Sequence, residues 1–294
     1  MIATASDTGT FVPRVELGAW VESAIDWMTD TFDPVFDAVK TFFESIYDGL
    51  EWVLSTPPFF VVALVLAALA FWVKGWKLGV GTLLGFCLVA GMNQWDNAME
   101  SLALVILASA VALLLGIPLG IWAARNAHVS RVVRPVLDFM QTMPAFVYLI
   151  PTVVIFLTGP VPGIIATVIF AIAPGVRFTE LGIRQVDAEV VEAGRAFGST
   201  DRRILRQIQI PLAMPTIMAG INQVIMLALS MVVISGMVGA GGLGNDVVAA
   251  LQRVDVALGF EAGLAVVILA IFLDRVTAAL ADRAPVAKAL RATR

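Results

Sequence analysis

Residues 101–124 read SLALVILASAVALLLGIPLGIWAA, twenty-four positions without an ionisable side chain. As a helix this run is ~36 Å long, enough to cross a hydrocarbon layer of roughly 30 Å. A lipid environment also forces the helix, because every backbone N–H and C=O must find its partner within the segment. Working outward, apolar stretches recur at about 59–73, 78–92, 143–158, 160–176, 213–235 and 257–273, which makes seven candidate spans. Several fall short of the roughly 20 residues a span asks for, so their ends must extend into Trp, Pro or polar flanks. Composition agrees: 59% of residues are hydrophobic, 14% are charged, and the mean hydropathy is +0.90. No soluble core absorbs that much apolar surface, and the reading is an all-α integral membrane protein of about seven transmembrane helices.

Lys and Arg set the orientation, because basic loops stay on the cytoplasmic side. With seven spans, one set of loops holds sixteen of the nineteen basic residues: Lys74, Lys77, Arg125, Arg131, Arg134, Arg177, Arg184, Arg195, Arg202, Arg203, Arg206, Arg275, Arg283, Lys288, Arg291 and Arg294. The other set holds Arg14, Lys40 and Arg253. The N-terminus is therefore expected outside and the C-terminus in the cytoplasm, and residues 276–294 read as a basic cytoplasmic tail.

Residues 1–58 hold ten Asp and Glu against Arg14 and Lys40, which excludes a cleaved signal peptide with its basic leading region. Within them Leu17, Trp20, Val21, Ala24, Met28 and Phe32, then Val35, Val39, Phe42, Phe43, Ile46, Leu50 and Leu54, recur at helical spacing. Asp33-Pro34 fits an N-cap followed by a first-turn proline, so 1–58 is read as an acidic extracytoplasmic leader of two amphipathic helices. Trp20, Trp27, Tyr47 and Trp52 suit a membrane interface; a hairpin packed on the bundle is the alternative. Pro118, Pro144, Pro151, Pro174 and Pro215 mark kinks or breaks, and Gly116/Gly120 and Gly259/Gly263 permit close helix contact. Cys87, the sole cysteine, is expected to be a small buried hydrophobe.

The segment 177–211 is long for a connection between spans, and a long loop usually has a task. Asp187 can cap a helix to Phe197, Gly198 can end it in the left-handed conformation, and Ser199, Thr200 or Asp201 can cap a second helix through Gln209. A rigid cytoplasmic knob results.

The knob's residues carry a family resemblance. Glu192-Ala193-Gly194, then Gly198, then Ile208 and Ile210-Pro211 resemble the EAA-x3-G-x9-I-x-L-P loop of ABC-importer membrane subunits, departing at Gly194 and Ile210. Gln141–Leu149, Pro211–Gly220, Ala228–Val233, Gly241–Gly244 and Ile268–Arg275 are similar to the permease subunit of glycine betaine/proline betaine importers. The resemblance implies a type I ABC-importer permease fold in a bacterial inner membrane: two accessory transmembrane helices over 59–92, then a permease core over 93–275. It implies that the 192–211 segment, Arg202 and Arg203 included, couples this chain to a separate ATPase. It also implies a second copy of this chain, two ATP-binding-cassette ATPases that bind ATP and Mg, and an extracytoplasmic solute-binding protein. The substrate expected is glycine betaine, proline betaine or a related methylated onium osmolyte, with trimethylamine N-oxide, choline, carnitine and dimethylsulfoniopropionate as alternatives.

The residues argue against other classes, an ion-coupled secondary transporter being the weaker alternative. No Lys follows a Gly, so there is no phosphate-binding P-loop, and the only His, His128, has no second His or nearby Cys for a metal. No nucleophile and base pair for catalysis is visible, and no cofactor or nucleic acid is expected. An ion-coupled carrier would place ionisable groups within the membrane, whereas Glu100, Arg177 and Glu261 sit near span edges. Candidate pathway residues are Gln141, Thr142, Phe146, Tyr148, Asn222, Gln223, Ser230 and Ser235, polar or aromatic groups suited to a quaternary ammonium.

Overall fold

A computed structural model describes residues 16–282, and among them there are helices and no strand. Arg14, Arg283, Lys288, Arg291 and Arg294, and with them most of the basic tail, lie outside the described residues. All seven apolar stretches fall on helices. After α1 (Leu17–Ser55) come α2 (Phe59–Lys74), α3 (Trp76–Gly91), α4 (Trp95–Arg125), α5 (Ala127–Thr142), α6 (Ala145–Phe156) and α7 (Pro160–Arg184). Two short helices, α8 (Ala188–Ala196) and α9 (Asp201–Ile204), lead through a π-helical turn (Leu205–Gln209) into α10 (Ile210–Ser235). The described residues end with α11 (Gly242–Arg253) and α12 (Val256–Asp282).

Four helices are long and apolar enough to cross a membrane unaided: α4, α7, the continuous run Asp201–Val238 that contains α10, and α12. α1 with α2, and α5 with α6, pass the same test only as pairs bent by 99° and 97°. The bends sit at Pro58 and Pro144, each in extended backbone, where the missing N–H prevents the preceding helix from continuing. α3 is apolar but only sixteen residues long, separated from α2 by Gly75 at φ +95°.

α7 is the central element, the most deeply buried of the long helices, wedged between α4 and α10. Glycines allow that approach. A Cβ on Gly120 of α4 would lie 2.6 Å from Val176 O, and one on Gly220 of α10 would lie 2.5 Å from Phe178 Cβ. Gly116 faces α7 as well, so the first small-residue pair is a helix contact; of the second, Gly259 touches Ala250 and Gly263 meets nothing.

α1 is kinked at Phe32 (φ −114°, ψ 18°), so the two-helix pattern takes the form of one bent rod broken just before Asp33-Pro34. Phe43, Ile46, Leu50 and Leu54 pack on the main core and Tyr47 is buried, while Trp20, Trp27 and Trp52 stay exposed. Cys87 corrects the sequence reading: it is exposed, in a cleft beside the α1–α2 bend formed with Pro57, Pro58 and Trp95. Its neighbour Phe86 takes the buried position on that turn of α3.

At the end of the bundle away from α8, side chains of α4 hold the start of α11. Glu100 Oε2 accepts from Gly242 N (2.6 Å), Ser101 Oγ accepts from Leu243 N (2.8 Å), and Gln94 and Asn97 both donate to Asp246. The first turn of α11 lies backbone against backbone on the last turn of α10, where a Cβ on Gly236 would fall 2.2 Å from Gly244 C.

Candidate functional site

The segment 177–211 is more helical than a loop. α7 continues to Arg184, held there by burial of Thr179, Gly182 and Ile183, and the helix that becomes α10 starts at Asp201. Only 185–200 leave the two long helices. Asp187 caps α8 by accepting from Glu189 N at 2.9 Å. At the other end Gly198 N donates to Arg195 O (2.8 Å) and Ser199 N to Gly194 O (3.1 Å), with Gly198 at φ +78°. This paired closure needs a left-handed residue at Gly198, where a side chain would meet no atom within 4 Å and only the backbone conformation would cost.

Thr200 occupies the next N-cap position without a side-chain bond, and neither Ser199 nor Asp201 takes that role. Asp201 instead faces Arg195 at 3.6 Å. The second helix does not stop at Gln209: it passes through the π turn into α10. Ile204 and Leu205 are buried beneath α8, and Ile208 packs so closely that a Cβ on Gly194 would lie 2.8 Å from its Cδ1. Glycine at 194 therefore fits α8 onto Ile208. Ile210 packs partly against the buried Ile183, Leu205, Ala213 and Ile217, with Pro211 next to it in the first turn of α10. The knob's outer face presents Glu192, Ala193 and Phe197, the last 89% exposed. Arg202, Arg203 and Arg206 line an open cleft on its flank with Thr200 and Gln207. The spacing locates the knob, but nothing in it reveals Phe197 as an exposed apolar tip.

The eight pathway candidates divide. Gln141, Thr142 and Phe146 are exposed around the α5–α6 bend. Gln223 and Ser230 are exposed seven residues apart on α10, in a stripe that also holds Leu212, Pro215, Ala219 and Met226. Tyr148, Asn222 and Ser235 lie in helix contacts instead. Tyr148 donates to Met140 O, Asn222 donates to Asp274 (3.0 Å) and accepts from Thr277 (2.7 Å), and the buried Ser235 donates to Val232 O (2.8 Å). His128 is exposed, and among the described residues no cluster of His, Cys, Asp and Glu could hold a metal.

Besides the edge residues counted from sequence, Asp274 lies inside α12 and Glu180 inside α7. Glu180 is 3% exposed and accepts from Ser130 Oγ (2.7 Å) and Arg134 Nη2 (2.8 Å) of α5. The four-residue spacing of Ser130, Arg134 and Asp138 was the available signal.

Comparison with known proteins identifies the family. The family described as "Binding-protein-dependent transport system inner membrane component" matches residues 116–284, from the middle of α4 through the knob and α12. The chain belongs to this family.

Among relatives of this inner membrane component, the glycine betaine transport system permease protein OpuAB of Bacillus subtilis is 46% identical over 90% of this chain and 94% of its own length. The glycine betaine/carnitine transport permease protein GbuB of Listeria monocytogenes is also 46% identical, over 93% and 98%. The glycine betaine/proline betaine permease ProW of Escherichia coli matches at 46% over 90% of this chain and 75% of that protein. An inward-facing structure of the MetNI methionine ABC transporter superposes with a TM-score of 0.57 at 22% identity, covering 62% of this chain and 91% of that one. That likeness shows an ABC-importer permease fold. The family's members are inner-membrane transport components that work with a binding protein.

Proposed function

We propose that this chain is the permease subunit of an ABC importer for glycine betaine, proline betaine or a closely related methylated onium osmolyte. The observation that carries the substrate class is 46% identity over nine-tenths of the chain to permeases named for glycine betaine. The trimethylamine N-oxide permease TmoV of Ruegeria pomeroyi is 36% identical, and this chain spans 39% of its length, so betaine leads.

In this reading two copies of the chain pair with two ATPases, which bind ATP and Mg, and a binding protein docks outside. The N-terminus lies outside and the C-terminus in the cytoplasm, as the distribution of Lys and Arg requires. Residues 1–58 form the outer leader, 59–92 an accessory pair, 93–275 the core and 276–294 the inner tail. The knob enters the ATPase, with Phe197 as its apolar contact and Glu192 facing a cation of the partner. ATPase movement then rotates α7 and the Asp201–Val238 run together, because both enter the knob directly. The exposed stripe of α10 with Gln223 and Ser230, and the α5–α6 bend with Gln141, Thr142 and Phe146, face the path.

Substitution at Gly198 tests coupling apart from folding. Valine there is β-branched at φ +78°, which costs on the order of 1–2 kcal/mol, whereas asparagine enters this region readily. We expect Gly198→Val to insert and dimerise but to lose binding-protein-stimulated ATP hydrolysis and betaine uptake together, and Gly198→Asn to retain most of both. Glu192→Ala should fall between them, its carboxylate being exposed. Normal uptake by Gly198→Val would remove the knob from the mechanism.

A further inference from the structure

α5 presents Ser130, Arg134 and Asp138 at four-residue intervals, and α7 presents Arg177, Glu180 and Arg184 at intervals of three and four, so each set forms one stripe. The stripes interlock in antiparallel order. Glu180 Oε1 accepts from Ser130 Oγ at 2.7 Å and from Arg134 Nη2 at 2.8 Å, and Arg184 Nε lies 2.9 Å from the same oxygen. One step further along, Arg177 pairs with Asp138. Arg184 also donates to Ala123 O (2.8 Å), which ties the end of α4 to the set.

Apolar packing between α5 and α7 joins Leu137, with Val133 and Met140 beside it, to Ile172, Ala173 and Val176, and the charges fix the register in which the two helices meet. The Glu180 end is closed and buried. The Asp138–Arg177 end is open, with 64% and 38% of those side chains exposed and Arg177 Nε buried without a partner. Past Asp138, α5 reaches the 97° bend into α6, and past Arg184 three residues lead to the knob.

We propose that this ionic zipper is a positioning element that makes α5 follow the knob in step with α6, which packs on α7 through Tyr148, Leu149, Ala166 and Phe170. Without it, movement of α7 would carry α6 but let α5 lag behind, and ATP would be spent without solute crossing. The inference rests on reading the chain as an ATPase-driven permease.

Asp138→Arg, Arg177→Asp and the two combined test it in vesicles containing the chain with its ATPase and binding protein. Each single variant should lower solute taken up per ATP hydrolysed by roughly fivefold or more, and the combined swap should recover most of it. Amide hydrogen exchange of the purified chain gives a readout independent of transport. α5 should exchange faster in each single variant and return in the swap. If the unsubstituted complex neither responds to binding protein nor takes up solute, the importer reading fails, and unchanged exchange in the single variants would then overturn the zipper too. Faster α5 exchange with uptake per ATP unchanged would make the contact structural only and overturn the positioning role. A swap no better than either single variant would also overturn the proposal.

Discussion

Gly236 and Gly244 illustrate how little room single residues have where helices cross. A methyl group on Gly236 would enter the backbone of α11, which cannot yield as a flexible side chain can. Gly236→Ala should therefore destabilise the folded chain by about 1–3 kcal/mol, the cost of overpacking. Gly49→Ala, at an α1 position where nothing lies within 4 Å, should be neutral or slightly stabilising because alanine restricts the unfolded chain more than glycine does. Thermal unfolding of both variants in detergent checks the contrast, and equal midpoints would count against it. At this scale the sequence is legible where local rules decide the outcome. Asp187 as a cap and Gly198 as a left-handed stop follow from their neighbours alone. Asn222, Tyr148 and Ser235 look like lumen residues in sequence, yet they bond within helix contacts, because polarity says nothing about the direction in which a helix turns them. Glu180 escaped notice for a related reason: its partners Ser130 and Arg134 lie on another helix.

The π turn at Leu205–Gln209 joins the knob to α10 without interruption, where sequence suggested a helix ending at Gln209. Such a turn carries one residue more than α-helical winding needs. Deleting Gln207, which is exposed, should restore α winding and rotate everything before it by about 100° relative to α10. Ile204 and Leu205 would then leave their buried positions. We expect insertion and pairing to persist while stimulated ATP hydrolysis falls by roughly tenfold or more, a loss of about 1.4 kcal/mol of coupling. Hydrolysis close to that of the parent chain would mean that the turn has no part in setting the knob. Apolar runs located the membrane helices because lipid enforces them. Arg131 and Arg134 make α5 read as a basic loop in sequence, although Asn126 and the spacing of Val129, Val133, Leu137 and Met140 carry a helix signature. α11 was missed too, since its short, mixed sequence is shaped by Glu100 and Ser101 of α4.

At the scale of the whole molecule, one knob and one set of core helices make up half of the proposed importer, which has two ATPases. A purified complex should therefore contain two copies of this chain for two ATPases, and native mass measurement finding one copy would contradict the homodimer. Hydropathy was enough to place the chain in a membrane, and the distribution of Lys and Arg supports the orientation proposed above. Neither could reveal that α2 and α6 are arms of bent pairs, since a bend at Pro58 or Pro144 depends on what each arm packs against. The exposed thiol of Cys87 gives this molecule a built-in reporter. With no other cysteine to remove, a spin label or dye attached there would tag each native subunit once, beside the α1–α2 bend. In a twofold assembly the two tags define a single distance, so one spectrum taken with and without nucleotide would read whether this edge of the transporter breathes during the cycle.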